Sequence, residues 1–133
     1  MTHPARFVDD DPYLARLRQI CLALPQAAEK LSHGRPVFYT KKIFALFGGV
    51  VLGDHASDDY GQAVVVLPDA DEREALLADE RFFHPAYYGP MGWIGLNFRV
   101  GAPDWDEVAE LVDTSYRNTA VKYLVAELDG RSC

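Results

Sequence analysis

Between Ala27 and Leu67 the chain contains a series of short β-prone runs, and this series constrains the fold more than any other feature. The runs are EKLSH, PVFYT, KIFALF and QAVVVL, with Gly, Pro or polar residues between them. Strands joined this closely pair in antiparallel fashion, because a parallel pair needs a crossover of about a dozen residues or more. The longest connection, GGVVLGDHASDDYG, is predicted to be a mobile hairpin loop with a short strand at Val50–Leu52.

A helix is predicted ahead of this sheet. Asp11 is suited to accept hydrogen bonds from the free N–H groups of a first turn, and Pro12 fits the first helical position. One apolar stripe then follows at helical spacing and ends before Pro25: Leu14, Leu17, Ile20, Cys21 and Leu24. Because Cys21 lies on this stripe, we interpret it as a small core residue and not as a nucleophile.

Three more helices are predicted in the second half of the chain. PDADEREALLADE is expected to form two to three turns capped by Asp69 or Asp71, with Glu72 or Glu74 following. PDWDEVAELVDTSYRNTA is expected to form a helix with Asp104 as the N-cap. The side chain of Glu107 is expected to accept from the backbone N–H of Asp104. The buried stripe of this helix comprises Trp105, Val108, Leu111, Val112 and Tyr116, and a last short helix, VKYLVAEL, turns Tyr123 or Leu124 inward.

The segment HPAYYGPMGWIGLNF, residues 84–98, combines an aromatic loop with a strand that starts near Gly92. Side chains of a strand alternate between its faces, so Ile94, Leu96, Phe98 and Val100 are predicted to face the core. The opposite face then carries Trp93, Gly95, Asn97 and Arg99. Because small residues beside a ring let a flat group or another backbone approach, this face is a candidate recognition surface. The alternative is that the preceding loop or a helix covers Trp93.

The resulting element order, α-β-β-β-β-α-β-α-α, predicts an α+β fold with one antiparallel sheet and helices packed on it. With 133 residues the chain is expected to be a single domain, residues 1–133, in which residues 1–10 form a flexible arm. It contains no apolar run of about 18 residues and no N-terminal apolar segment, so no membrane association is expected. Cys21 and Cys133 are the two cysteines, and a reducing cytoplasm is the expected location.

The charge is unevenly distributed along the chain. The net charge is −7; residues 1–47 hold seven Lys/Arg and four Asp/Glu, and residues 48–133 hold six and sixteen. The balance of −10 in the second part argues against a protein that coats nucleic acid. Between Pro12 and Gly53 the only acid is Glu29, so this part could hold an anion, although its cations are also explained as solvated surface residues.

No catalytic or metal-binding pattern is recognisable, so a non-enzymatic protein without a cofactor or metal is expected. His3, His33, His55 and His84 lack ligand spacing, and the acids around His55 lack the order of a calcium loop. Ser32 and His33 are adjacent in a presumed strand and would point to opposite faces. Ser115 has no base near it in sequence.

Three segments resemble the signature blocks of the MmcQ/YjbR-like family in order and spacing: LSHGRPVFYTKKIFALF, RFFHPAYYGPMGWIGLNF and DWDEVAELVDTSYRNTAVKYL. The resemblance extends from the first helix to the last. The residues that match the pattern are His33, Pro36, Phe38, Lys42, Phe44, Pro85, Tyr87, Gly89, Gly92, Trp93, Gly95, Asp104, Trp105, Ser115, Tyr116 and Lys122. Two departures are Val121, where the family usually has proline, and the acidic residues of the long connection after Phe47.

The resemblance implies an α+β fold related to secretion-chaperone-like and CyaY-like sheets, and a bacterial DNA-binding protein of the double-wing type. Because a fold does not fix function, two hypotheses stay open. In the first, DNA phosphates contact Arg35, Lys41, Lys42, Arg99 and Lys122 while Trp93 or Tyr88 stacks on a base. In the second, a peptide, protein or small ligand binds the sheet face around Trp93 and Asn97. The protein is expected to be a monomer or a homodimer.

Overall fold

A computed structural model describes residues 5–131 of the protein. It confirms the predicted α+β class, with one antiparallel sheet and helices packed on it. The elements are α1 (Pro12–Leu22), β1 (Ala28–Ser32), β2 (Arg35–Tyr39), β3 (Ile43–Phe47), β4 (Ala63–Val66), α2 (Arg73–Leu77), β5 (Phe82–Phe83), β6 (Ile94–Asn97), α3 (Trp105–Thr119) and α4 (Lys122–Arg131). Of these, β5 was not predicted, because it lies inside the aromatic stretch expected to be a loop. His3 and Cys133 lie outside the described residues.

The sheet order is β1-β2-β3-β4-β6-β5, and every neighbouring pair is antiparallel. One face of the sheet forms the main core with α1, α3 and α4. The predicted alternation of β6 is confirmed on this face, where Ile94, Leu96 and Phe98 are buried, whereas Val100 lies beyond the strand and is half-buried. Cys21 is buried in the same core, as predicted. Of the helices in residues 5–131, none has the length and apolar character needed to cross a membrane.

The helix termini agree in part with the sequence. Asp11 accepts from the Tyr13 N–H at 2.8 Å, and Asp104 accepts from Asp106 and Glu107 N–H groups at 3.0 and 3.3 Å, so both predicted caps are confirmed. Glu107, predicted to return the Asp104 bond, instead accepts from the Arg81 guanidinium at 2.7 Å. That pairing is favoured because a charge-assisted bond is stronger than a bond to a neutral N–H.

The second predicted helix is shorter than expected. It covers only Arg73–Leu77, and neither Asp69 nor Asp71 caps it; Glu72 is at the cap position without a side-chain hydrogen bond. This prediction of two to three capped turns was therefore wrong. The physical reason is that no side chain of α2 is fully buried, and only Leu76 and Leu77 pack partly against the main core, so little packing stabilises a longer helix.

The turn between β1 and β2 corrects the interpretation of Ser32 and His33. Ser32 is the last residue of β1, and His33 and Gly34 form the turn with φ of +52° and +82°. Left-handed conformations at both central residues are typical of a two-residue hairpin turn whose twist matches that of its strands. His33 therefore does not continue the strand, and the expected opposition of the two side chains does not apply.

The other face of the sheet is also covered, and this decides the environment of Trp93. A second buried cluster on this face comprises Val37, Leu46, Ala63, Val65, Phe83 and Trp93, and Tyr60 and Tyr88 pack against it. Trp93 is only 9% exposed. The loop after β3 and the aromatic stretch before β6 supply this cover, so the structure agrees with the alternative in which the preceding loop covers Trp93.

Residues 5–10, part of the segment expected to be a flexible arm, lie along the β1–β2 turn. The Arg6 N–H donates to the Gly34 carbonyl at 2.8 Å, and Phe7 packs against the main core. The Arg6 side chain also donates to the His55 carbonyl at 2.8 Å. These contacts place a cationic side chain beside the second face of the sheet.

Candidate functional site

A pocket opens on the second face of the sheet, next to the cluster that contains Trp93. Its volume is about 780 Å³, within the range of about 300–1,000 Å³ typical of small-molecule sites. The base is formed by Leu46 and Val65 of the sheet, and one wall is formed by residues 85–88 together with Met91. The lining also includes the polar side chains Arg6, Ser32, His33, Arg35 and His55. The pocket therefore combines an apolar base with cationic side chains.

Two glycines directly after β3 allow close packing of side chains against the backbone at this pocket. Gly48 has φ of +81°, and a Cβ there would collide with the Nη1 atom of Arg35 and lie 2.8 Å from the Gly61 carbonyl. A Cβ at Gly49 would lie 3.3 Å from the Val65 side chain. Any larger residue at position 48 would meet both a strained backbone and the guanidinium. Glycine at this position lets the Arg35 head group lie against the backbone.

Arg35 is the central polar residue of the pocket. It begins β2, and it shares a sheet face with Val37 of the second cluster, so its side chain runs along the base of the pocket. Arg35 is 7% exposed, and its Nη1 donates to the Arg6 carbonyl at 3.4 Å. Its Nη2 is buried and has no hydrogen-bond partner among the described residues. Burial lowers the pKa of Arg35, the charge of Arg6 lowers it further, and Asp58 opposes both effects.

The rim of the pocket is apolar and exposed. Tyr87 and Met91 are 68% and 64% exposed, and the Tyr87 ring lies 5.4 Å from the His55 ring. Tyr87 has φ of +70°, a left-handed conformation that a bulky residue rarely adopts. The Ala86 N–H donates to the Val50 carbonyl at 2.8 Å, which joins the two loops that form the pocket.

The structure does not bring the predicted binding residues together. Tyr88 is half-buried, and its ring packs edge-on against Trp93 at 5.6 Å, so these two rings contact each other. Arg99 donates to Gln62 and to the Asp58 carbonyl, each at 2.7 Å, and Asn97 accepts from the Arg99 N–H at 3.0 Å. Asn97 and Arg99 therefore hold the loop after β3 against the sheet.

The remaining predicted cations lie elsewhere. Lys41 and Lys42 are exposed in the β2–β3 turn, and Lys122 is exposed at the start of α4 on the helical side of the sheet. Of the predicted binding residues, Arg35 and Tyr88 line the pocket. The predicted phosphate contacts are thus distributed over separate parts of the molecule.

Several other arginines are neutralised by nearby acids. Arg18 pairs with Glu29 and Asp9, each at 2.9 Å, Arg81 pairs with Asp79 and Glu107, each at 2.7 Å, and Arg117 pairs with Asp113 and Asp129 at 2.8 and 2.7 Å. Hydrogen bonds to these carboxylates raise the pKa of all three guanidinium groups. Arg16 and Lys30 instead lie over the rings of Trp105 and Tyr39. The cations counted before Gly53 therefore do not form one continuous patch.

Residues 5–131 contain no cluster of three His, Cys, Asp or Glu side chains placed to hold a metal ion. The loop acids near His55 have other contacts, since Asp58 pairs with Arg99 at 3.1 Å. The buried hydroxyl of Ser115 donates to the Phe44 carbonyl at 2.5 Å and accepts from the Leu67 N–H at 2.9 Å. Ser115 therefore joins α3 to the sheet.

Sequence reasoning missed Arg6, His55 and the exposed pair Tyr87 and Met91 as pocket residues. Arg6 lay in the segment expected to be flexible, and the loop with His55 was expected to be mobile. The signal that could have found the pocket is Gly48-Gly49, because two consecutive residues without side chains after a strand let another group approach the backbone closely.

The sequence model of the YjbR family matches residues 22–118, which include β1 to β6 and most of α3. Among solved structures, the protein is similar to one described as the crystal structure of Deinococcus radiodurans protein DR2400, with the family-model domain DUF419. The two chains are 21% identical, the match covers 92% of this chain and 84% of the other, and the TM-score is 0.60. This similarity concerns the fold. No curated protein matches the chain.

Proposed function

Since the chain belongs to the YjbR family, we propose that this domain is a non-enzymatic binding module that takes a small molecule into the pocket on the loop-covered face of the sheet. The observation that carries the proposal is the combination of an apolar base at Leu46 and Val65 with the buried guanidinium of Arg35. Ligand sites in proteins typically have this composition, with apolar walls and a few placed polar groups that orient the ligand.

Binding without catalysis fits the two guanidinium groups at this pocket. Arg35 and Arg6 can hold a charge, but a guanidinium does not release its proton under ordinary conditions and so is a poor acid or base. Asp58 is the acid whose charge raises the pKa of Arg35, and it is itself paired with Arg99. His33 and His55 also line the pocket, so the proposal of recognition without conversion rests on the two guanidinium groups.

The pocket replaces the surface around Trp93 as the site of the small-ligand hypothesis. Both lie on the same face of the sheet, but Phe83 and Tyr88 already pack against Trp93. A ligand at Trp93 would have to displace this aromatic cover, whereas the pocket beside it is open at Tyr87 and Met91.

DNA binding, which the family resemblance implies, is the second candidate. The observation that favours it is the pair of exposed lysines, Lys41 and Lys42, at the tip of the β2–β3 hairpin. Against it stand the net charge of −7 and the ion pairing of Arg99, because a phosphate would have to compete with Asp58 for that guanidinium.

NMR of the uniformly ¹⁵N-labelled protein tests the small-molecule proposal. A set of aromatic and aliphatic fragments, charged and neutral, should shift the backbone amides of Leu46, Val65 and Ala86. A Ser32→Phe variant, with a ring added at a half-buried pocket residue, should weaken these shifts. Thr40→Phe is the matched control, because Thr40 is also half-buried but lies at the other end of the hairpin. Absence of any shift at the pocket amides would contradict the proposal.

A mixed-sequence DNA duplex tests the second candidate. If DNA binds, the logarithm of the affinity should fall steeply with the logarithm of the salt concentration. The double substitution Lys41→Gln and Lys42→Gln should make this slope shallower by the amount expected for the loss of about two phosphate contacts. If a concentrated duplex causes no change at low salt, DNA binding is excluded under those conditions. A slope that the two substitutions leave unchanged would place the contacts elsewhere.

A further inference from the structure

The guanidinium of Arg35 is a buried charge that lacks an acidic partner within the described part of the chain. Salt bridges there involve Arg18, Arg81, Arg99, Arg117 and Arg131, but neither Arg35 nor Arg6. Within residues 5–131, Nη2 of Arg35 also has no hydrogen-bond acceptor. A buried charge without a partner is costly, so a guanidinium in this state is suited to receive an anion.

The second guanidinium beside the pocket, that of Arg6, makes the binding of an anion at Arg35 more favourable. The charge of Arg6 disfavours the charged form of Arg35, so the two groups repel each other. Arg6 is kept in place by its backbone bond to Gly34 and by its side-chain bond to the His55 carbonyl. Asp58 offsets part of the repulsion, but it is paired with Arg99. An anion between Arg35 and Arg6 would reduce the repulsion directly.

We propose that the ligand of this pocket is an organic carboxylate whose carboxyl group binds Arg35 and whose apolar body lies on Leu46 and Val65. This inference rests on the proposed small-molecule function and specifies the chemical class of the ligand. The planar guanidinium offers two parallel N–H groups that match the two oxygens of a carboxylate. Since Nη2 is closed off from water, contact of both N–H groups with the ligand requires the guanidinium to turn toward it.

A carboxylate fits this pocket better than a phosphate for two reasons. The base and one wall are apolar, so a single negative charge is less costly to desolvate there than the double charge of a phosphate ester. The pocket volume of about 780 Å³ also leaves room for an apolar body beyond the head group. The exposed side chains of Tyr87 and Met91 lie where such a body would leave the pocket.

Three matched probes test the head group: phenylacetate, its neutral amide phenylacetamide, and benzylphosphonate. For probes of this size, dissociation constants of about a millimolar are expected. Phenylacetate should bind about tenfold or more tightly than phenylacetamide, because the amide lacks the negative charge and keeps only one of the two acceptor oxygens. The ¹⁵N-edited guanidinium signal of Arg35 should shift with phenylacetate. This readout uses the unmodified protein.

Two variants connect the preference to Arg35. Arg35→Met keeps an apolar stem and removes the charge. In this variant phenylacetate and phenylacetamide should bind equally tightly, and both compounds should still shift the Leu46 amide. Lys42→Gln is the control, because it also removes one positive charge but lies outside the pocket. If Arg35→Met does not fold, the guanidinium signal of the unmodified protein decides the question.

The outcomes separate the two proposals. If phenylacetamide binds the pocket as tightly as phenylacetate, or if the Arg35 signal does not respond to phenylacetate, the carboxylate inference is wrong while the small-molecule pocket remains. Tighter binding of benzylphosphonate than of phenylacetate would likewise overturn the carboxylate assignment. If none of the three probes shifts a pocket amide and the fragment set also fails, the proposed function is wrong.

Discussion

The far edge of the Phe83 ring occupies the space that a side chain at position 95 would need. Phe83 of β5 and Gly95 of β6 are directly paired, and a Cβ on Gly95 would collide with Cζ and Cε1 of the ring and lie 2.8 Å from Cε2. The Tyr60 ring lies 4.2 Å from the Phe83 ring. The gap that the sequence offers at Gly95 is thus filled by the protein's own aromatic residue.

Gly95→Ala should therefore destabilise the protein by about 1–3 kcal/mol, because the packed ring has little room to move. In a Phe83→Leu background the same substitution should cost less, with a coupling of about 0.5–3 kcal/mol between the two sites. Urea unfolding of the four proteins measures this coupling. Equal costs of Gly95→Ala in both backgrounds would show that the ring does not fill the gap.

Arg99 is expected to hold a loop and not to contact a phosphate. Arg99→Gln removes the ion pair to Asp58, which is partly exposed, so the free energy of unfolding should fall by about 1 kcal/mol or less. Amide hydrogen exchange in residues 54–61 should become faster, because the loop loses its attachment to the strand. Lys41→Gln is a control of equal charge change and should leave this exchange unchanged. Unchanged exchange in Arg99→Gln would contradict the assignment.

Ser115 is expected to contribute to stability through two buried hydrogen bonds. Ser115→Ala leaves the Leu67 N–H and the Phe44 carbonyl without their partner, and the expected cost is about 2–4 kcal/mol. Ser57→Ala serves as the comparison, because the Ser57 hydroxyl accepts one exposed N–H, from Asp59, and its loss should cost about 0.5 kcal/mol or less. Urea unfolding provides both values. Similar costs for the two variants would show that Ser115 is not a structural link.

Cys21 should be unreactive in the folded protein. Burial raises the pKa of the Cys21 thiol well above its ordinary value, and the residue is fully enclosed in the main core. In a Cys133→Ser variant, which leaves Cys21 as the remaining thiol, a disulfide reagent at neutral pH should react only after denaturant unfolds the chain. Rapid reaction without denaturant would mean that this part of the core opens easily.

Local patterns predicted the main core correctly because each reflects one short-range cause. The apolar stripe of α1, the alternation of β6 and the caps at Asp11 and Asp104 depend on neighbours within a few residues along the chain. The length of α2 was overestimated because acidic capping residues near Glu72 indicate where a helix can begin, but not whether a core will stabilise it.

The candidate site was harder to predict because it is formed by segments distant in sequence. Alternation correctly placed Trp93 on the face opposite the main core, but it does not show what covers that face. Arg35 was recognised as a possible anion contact, and its position in a pocket depends on Arg6 and His55, from two other segments. Arg99 was interpreted as available to a ligand, whereas Asp58, 41 residues away in sequence, binds it.

The two edges of the sheet differ in how they discourage the addition of a foreign strand. Among the strands of residues 5–131, β1 has β2 as its one neighbour. It is five residues long and contains two consecutive charged residues, Glu29 and Lys30. At the opposite edge, β5 is only two residues long and offers almost no template. Charge at one border and brevity at the other are known safeguards against fibril-like stacking of β-proteins. We therefore expect concentrated solutions of this domain to resist polymerisation through their sheets.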